Sequence, residues 1–133
     1  MAKARRHAGF LHETVLRLLR DQPGAVSGLR LAEMIQGEGH AIPPSLVFRA
    51  LRRLSDRGAV RKVALARGYV VTDAAAPIDL ICRACGGLAT ISAPEARTDL
   101  HRAVAATGFA GTHLMVEISG LCSRCAARQG GPR

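Results

Sequence analysis

Apolar positions in the first half of the chain repeat at helical spacing. Leu11, Val15, Leu18 and Leu19 fall at i, i+4, i+7 and i+8 and predict a helix from about Ala8 to Arg20, closed by Pro23-Gly24. Ser27 reads as the N-cap of a second helix running to about Gln36, with Leu29, Ala32 and Ile35 inward. Gly37-Glu38-Gly39-His40 breaks it. Pro43-Pro44 opens a third helix, where proline's fixed φ and missing N–H cost nothing in the first turn. It carries Val47, Leu51 and Leu54 inward, stops at Gly58, and shows Ser45, Arg49, Arg52, Arg53 and Asp56 on its other face. The pattern then becomes extended: Val60 to Leu65 and Tyr69 to Thr72, joined by Ala66-Arg67-Gly68, form a hairpin with Arg61-Lys62 on its first strand. Three helices and a basic hairpin predict a winged helix-turn-helix, whose third helix enters the DNA major groove while the wing follows the backbone.

After a hinge at 74–77, Ile78 to Ile91 reads as two strand pieces. Ser92-Ala93-Pro94-Glu95 matches a capping box, in which Ser92 accepts from the Glu95 N–H. The helix it opens carries Ala96, Leu100, Ala103 and Val104 and ends at Gly108. Phe109 to Ser119 reads as a further strand. The expected fold class is α+β, with a winged helix over 1–73 and a small α/β dimerisation domain over 78–127. A disordered tail is expected over 128–133. The second domain's sheet edge is open to pairing with another copy of the chain.

All four cysteines sit in two CxxC turns, Cys82-Arg83-Ala84-Cys85 and Cys122-Ser123-Arg124-Cys125. Two such turns face to face supply the four soft ligands of a tetrahedral zinc. The 36 residues between them exceed a compact zinc ribbon, so a folded unit must lie between the knuckles. A redox dithiol needs only one knuckle, and a pair of disulfides is the remaining alternative. The expectation is one structural Zn2+ per chain.

Charge sharpens this picture. The chain of 133 residues carries a net +9, and 17 of its 19 basic residues are arginine, the side chain best suited to phosphate and guanine edges. Residues 1–73 hold 13 basic against 6 acidic side chains, residues 74–133 only 6 against 4. A basic module joined to a near-neutral one suits a nucleic-acid-binding half; an Arg-rich solvated surface would give the same composition. Aromatics are 3% of the chain, so the cores must be aliphatic. No apolar run approaches the roughly 20 residues that span a bilayer, and no signal peptide is visible. A cytoplasmic protein with no membrane partner is expected.

These residues resemble the ferric uptake regulator (Fur) family, and within it the zinc-responsive Zur branch. The similarity rests on the segment Pro44 to Leu51, on Leu80-Ile-Cys-Arg-Ala-Cys-Gly86, and on Gly108-Phe109 leading into Thr112 to Cys125. It implies a homodimer whose winged helices read a palindromic operator on double-stranded DNA and whose carboxy-terminal domains carry a four-cysteine zinc. Where the family usually has Thr-Val-Tyr-Arg, this chain has Leu46-Val47-Phe48-Arg49. Phe48 can still pack on a thymine methyl, and Arg49 is the residue expected in the groove. The family also typically places several His, often with a Cys, around the hinge; Tyr69 to Ile81 contains neither. Alanine methyls cannot replace imidazole or thiolate as zinc ligands. Asp79, His101 and His113 remain as candidates for a second metal site, with Asp99 and Glu117 as scattered carboxylates. His7, His12 and His40 have no partner at ligand spacing.

The sequence therefore predicts a Fur/Zur-type DNA-binding repressor with a structural zinc and with metal sensing lost or weakened. The expected DNA contacts are Ser45, Phe48, Arg49, Arg52 and Arg53 on the third helix and Arg61, Lys62 and Arg67 on the wing. The alternative is a zinc-responsive repressor of zinc-uptake genes with a rebuilt sensing site. A protein that titrates related regulators off DNA is a further possibility, against which the intact basic helix and wing argue. An enzyme is disfavoured, because four thiolates leave zinc no open position for water and no catalytic grouping accompanies them.

Overall fold

The computed structural model describes residues 2–129, and the side chains from Ala8 onward. Most of the expected carboxy-terminal tail, and the side chain of His7, lie outside the described residues. The chain divides after Thr72 into two compact units.

The first unit is helical with a hairpin. Helix α1 spans Ala2–Arg20, starting earlier than the apolar stripe alone predicts. Helices α2 (Gly28–Gly37) and α3 (Pro44–Asp56) follow. Ser27 caps α2, its Oγ accepting the Arg30 N–H at 3.1 Å. The expected inward face of α2 needs correction: Leu29 is 63% exposed, whereas Leu31 is fully buried beside Ala32 and Ile35. With the helix starting at Gly28, the core stripe is 28, 31, 32 and 35, and Leu29 lies off it by roughly a quarter turn. Helix α3 buries Val47, Ala50, Leu51 and Leu54. Just past its end Gly58 takes φ 73°, where a Cβ would be strained, and its N–H returns to the Ser55 carbonyl.

Strands β1 (Val60–Val63) and β2 (Gly68–Val71) pair antiparallel. The first strand is shorter than expected, because Ala64–Ala66 wind into a 3-10 turn and Arg67 turns the chain with φ 52°. The sequence reading also missed Val26, which exchanges two backbone bonds with Tyr69 at 3.0 and 2.8 Å. That pairing explains Gly68: a Cβ there would sit 2.8 Å from the Val26 backbone. Leu11, Val15, Leu31, Ile35, Val47, Leu51 and Val60 form one aliphatic core.

The second unit is a three-stranded sheet in the order β4-β3-β5, built from β3 (Pro77–Cys82), β4 (Leu88–Ser92) and β5 (Glu117–Gly120). Strand β4 runs antiparallel to β3, and β5 parallel to it. Helix α4 (Pro94–Ala105) and the short α5 (Ser123–Arg128) complete the unit. Two expectations are overturned here. Ser92 does not form a capping box: it belongs to β4, its hydroxyl donates to the Ala75 carbonyl, and α4 starts after Ala93 without a side-chain cap. The strand expected over Phe109 to Ser119 shrinks to Glu117–Gly120, because the chain leaves β4 at one edge and must cross to the far edge before it can pair. The stripe on α4 is uncovered within the chain: Leu100 is exposed and no residue of α4 is buried.

The hinge segment is tied into this second unit. The Ala75 carbonyl accepts from Ser92, the Ala76 carbonyl from the Ala93 N–H at 3.2 Å, and the Pro77 carbonyl from Arg97 at 3.2 Å. Arg97 also donates to the Leu114 carbonyl at 2.7 Å, fixing the irregular segment before β5. No described helix is long and apolar enough to cross a membrane.

Candidate metal centre and nucleic-acid interface

The parallel pairing of β3 with β5 closes the gap between the two knuckles. Cys82 lies opposite Gly120 in the register, so the chain reaches Cys122 at the same end of the sheet. There α5 starts, with Cys122 as its N-cap and Cys125 in its first turn. The first knuckle is a tight turn, with the Gly86 N–H bonded to the Cys82 carbonyl and the Cys82 N–H to the Gly87 carbonyl, each at 2.9 Å. All four sulfurs lie within 4.8 Å of one another, and Cys85 and Cys122 are 3.9 Å apart. A zinc tetrahedron with Zn–S bonds of about 2.3 Å has an edge of about 3.8 Å, so the quartet fits the ion. No two of these sulfurs are bonded, and the 3.9 Å between Cys85 and Cys122 is the spacing of two ligands on one ion.

Backbone donors prepare the ligands. The Cys122 N–H, then the Cys85 N–H, favour the Cys82 thiolate and lower its pKa to about 6. The Cys125 N–H lowers that of Cys122. Cys125, hydrogen-bonded to Cys122, is pushed up to about 12. Four thiolates cannot share so small a volume alone, and a divalent cation is the natural replacement for the protons they retain.

The candidates for a second metal do not converge. Asp79 is buried in β3 and accepts the Thr90 hydroxyl at 2.8 Å. His101 is exposed on α4, and His113 is exposed beside the Thr112 hydroxyl. Among the described residues, the cysteine quartet is the one group that brings three or more His, Cys, Asp or Glu ligand atoms together.

In the first unit, Ser45, Phe48, Arg49 and Arg52 of α3 share an open hollow of about 530 Å3 with Lys62 and Tyr69 of the hairpin. Arg67 is exposed at the hairpin tip, and Arg61 donates to the Val71 carbonyl at 3.3 Å. Arg53 lines a different hollow, of about 330 Å3, with Leu11, His12, Leu46 and Ala50, and Arg49 borders both. Two features here escaped the sequence reading. Phe48 packs over Gly28, where a Cβ would lie 2.3 Å from its Cε1. His12 joins no metal-ligand group, as expected, but its Nδ1 lies 2.7 Å from the Arg57 guanidinium. No local pattern links residues 45 positions apart.

A winged helix bearing cations on its third helix and hairpin, with an α+β unit that ends in a four-thiol metal site, defines a metal-bearing winged-helix transcription regulator. No family model matches the chain. It is 35% identical over 119 residues to the zinc uptake regulation proteins of Escherichia coli K12 and Shigella flexneri, an alignment covering 84% of this chain and 68% of each relative. The chain belongs to the zinc uptake regulators of the Fur family, a class of DNA-binding regulators and not enzymes. Its fold matches a zinc uptake regulator complexed with zinc and DNA with a TM-score of 0.81 at 28% identity, over 96% of this chain and 93% of that one. A holo Zur crystal structure matches with a TM-score of 0.79 at 27% identity, over 88% and 84% of the two chains.

Proposed function

We propose that this regulator is a homodimeric, sequence-specific repressor that carries one structural zinc per chain and has lost, or greatly weakened, control by a second metal. The observation that carries this reading is the distribution of ligands: four converging thiols at one site, and an Asp79 already bonded to Thr90 at the other. Zinc on Cys82, Cys85, Cys122 and Cys125 supplies the divalent charge that ties the end of β3 to α5. The uncovered stripe on α4 and the exposed Ile118 of the edge strand β5 favour a second copy as the cover. Two winged helices held at fixed spacing then suit a palindromic operator. Arg49 is the base reader, flanked by Ser45, Phe48 and Arg52, while Arg61, Lys62 and Arg67 neutralise phosphates from the wing.

The test is binding to a fluorescent operator selected from random DNA, with labile metal stripped and zinc titrated back while the structural zinc is retained. A flat titration supports the reading. A rise of tenfold or more, about 1.4 kcal/mol of coupling, sinks metal-blindness. It would favour a zinc-responsive repressor of zinc-uptake genes, a reading that kinship with zinc uptake regulators supports.

A further inference from the structure

We propose that the α1 flank of α3, opposite the wing, is a second seat for DNA backbone phosphate, formed by Arg53 and Arg57 with His12 as the residue that positions Arg57. The inference rests on the DNA-binding reading and moves Arg53 from base reading to the backbone. Arg49, Arg53 and Arg57 follow one another at four-residue spacing, which puts them in a row about 6 Å apart along the helix direction. Arg49 and Arg53 of this row, with His12, rim a hollow whose apolar floor includes Leu11 and Ala50, and Arg57 reaches it through His12. Among the described residues no carboxylate forms an ion pair with Arg53 or Arg57, although neighbouring like charges repel. An anion is what the row lacks.

His12 gives the seat its geometry. It is half-buried on α1, and its Nδ1 stands 2.7 Å from Nη2 of Arg57, so a neutral imidazole accepts that N–H and aims the guanidinium. Burial, then the charges of Arg57 and Arg53, lower its pKa and keep it the acceptor. Both arginines are exposed, and Arg49 continues the row into the hollow shared with the hairpin. A duplex read by Arg49 therefore has one strand's backbone within reach of the wing and the other's within reach of Arg53 and Arg57.

The test compares the zinc-loaded wild type with Arg53→Gln/Arg57→Gln on the selected operator and on a random duplex of equal length. Each phosphate contact contributes about 0.9 to the slope of log affinity against log salt. The double variant should bind both duplexes more weakly and with a slope shallower by about 1.8, so that its deficit shrinks about twelvefold between 50 and 200 mM salt. His12→Phe, which removes the acceptor, should lose part of that slope, and His12→Asn should restore it. Neutral methylphosphonates at the flanking phosphates should weaken the wild type and leave the double variant unchanged. Unaltered slopes with intact operator binding overturn the second seat alone. A wild type that binds neither duplex overturns the DNA-binding reading along with it.

Discussion

Replacing Gly28 with alanine tests whether α3 is seated on α2 as described. The added Cβ would lie 2.3, 2.8 and 3.0 Å from Cε1, Cζ and Cδ1 of Phe48. Carbon atoms prefer about 3.5–4.0 Å, so the ring must retreat by more than 1 Å. Phe48 is 42% exposed, and its ring can swing outward instead of forcing α2 and α3 apart. Leaving gives up the buried part of its surface, roughly half of the 1.5–3 kcal/mol that full burial contributes. Alanine returns up to about 1 kcal/mol of helix propensity, less at a first-turn position. The losses win narrowly, and the expected net cost is about 1 kcal/mol, which lowers the melting temperature of a unit this size by about 4–8 °C.

The chain's single tyrosine, Tyr69, and its lack of tryptophan make intrinsic fluorescence a reporter of the first unit. Unfolding followed by tyrosine emission should show the loss in Gly28→Ala but not in Gly28→Ala/Phe48→Ala, relative to Phe48→Ala. With the ring gone, the added methyl should be neutral or slightly stabilising, giving a coupling of about 1–2 kcal/mol. An equal cost in both backgrounds would refute the contact as the cause.

The metal centre should hold one zinc per chain by native mass spectrometry after dialysis against chelator, and Cys85→Ser or Cys122→Ser should abolish that retention. Zinc affinity, read by competition with a chromophoric chelator, should fall as pH drops and fall faster below about 6, where Cys82 begins to take up a proton; a pH-independent affinity would contradict thiolate ligation. Ser27→Ala should destabilise the first unit by about 1 kcal/mol and Ser27→Asp should largely restore it, since each tests the same cap on the Arg30 N–H. His12 has a folded pKa below its ordinary 6.5, so the unfolded chain is protonated first. Stability should be complete above about 6.5 and decline as pH falls through the folded value, and His12→Gln should flatten that decline.

Much of this architecture is legible in the residue pattern because the signals are local. The stripe Leu11, Val15, Leu18, Leu19 and the prolines opening α3 describe single helices, and the two CxxC turns describe half a metal site each. What escaped depends on partners distant in sequence. On α2 the apolar count offers Leu29 and Leu31 alike, and packing against α1 and α3 decides that Leu31 is buried and Leu29 exposed. The capping box at Ser92 is locally well formed, yet its hydroxyl goes to Ala75, a choice that only the β3–β4 hairpin makes available. Arg52 and Arg53 are indistinguishable in the sequence, and one residue of helical rotation sends them to different hollows.

The proposed loss of control by a second metal has a structural counterpart in the hinge segment. The thiol quartet closes on β3 and β5, and its ligands have few alternative partners inside the unit. The segment from Ala74 to Pro77 offers no side-chain ligand, but its backbone is not left loose: Ser92, the Ala93 N–H and Arg97 hold three successive carbonyls. Ala76 stays in a left-handed conformation, φ 49°, that costs a non-glycine residue about 1 kcal/mol or more. Arg97 adds a bond to Leu114, so one guanidinium links β3, α4 and the segment entering β5. Cross-linking separate segments is work that a bound cation could do reversibly. Here the Arg97 guanidinium, a cation built into α4, makes those links, and under the proposed loss of metal control it stands in for the second metal.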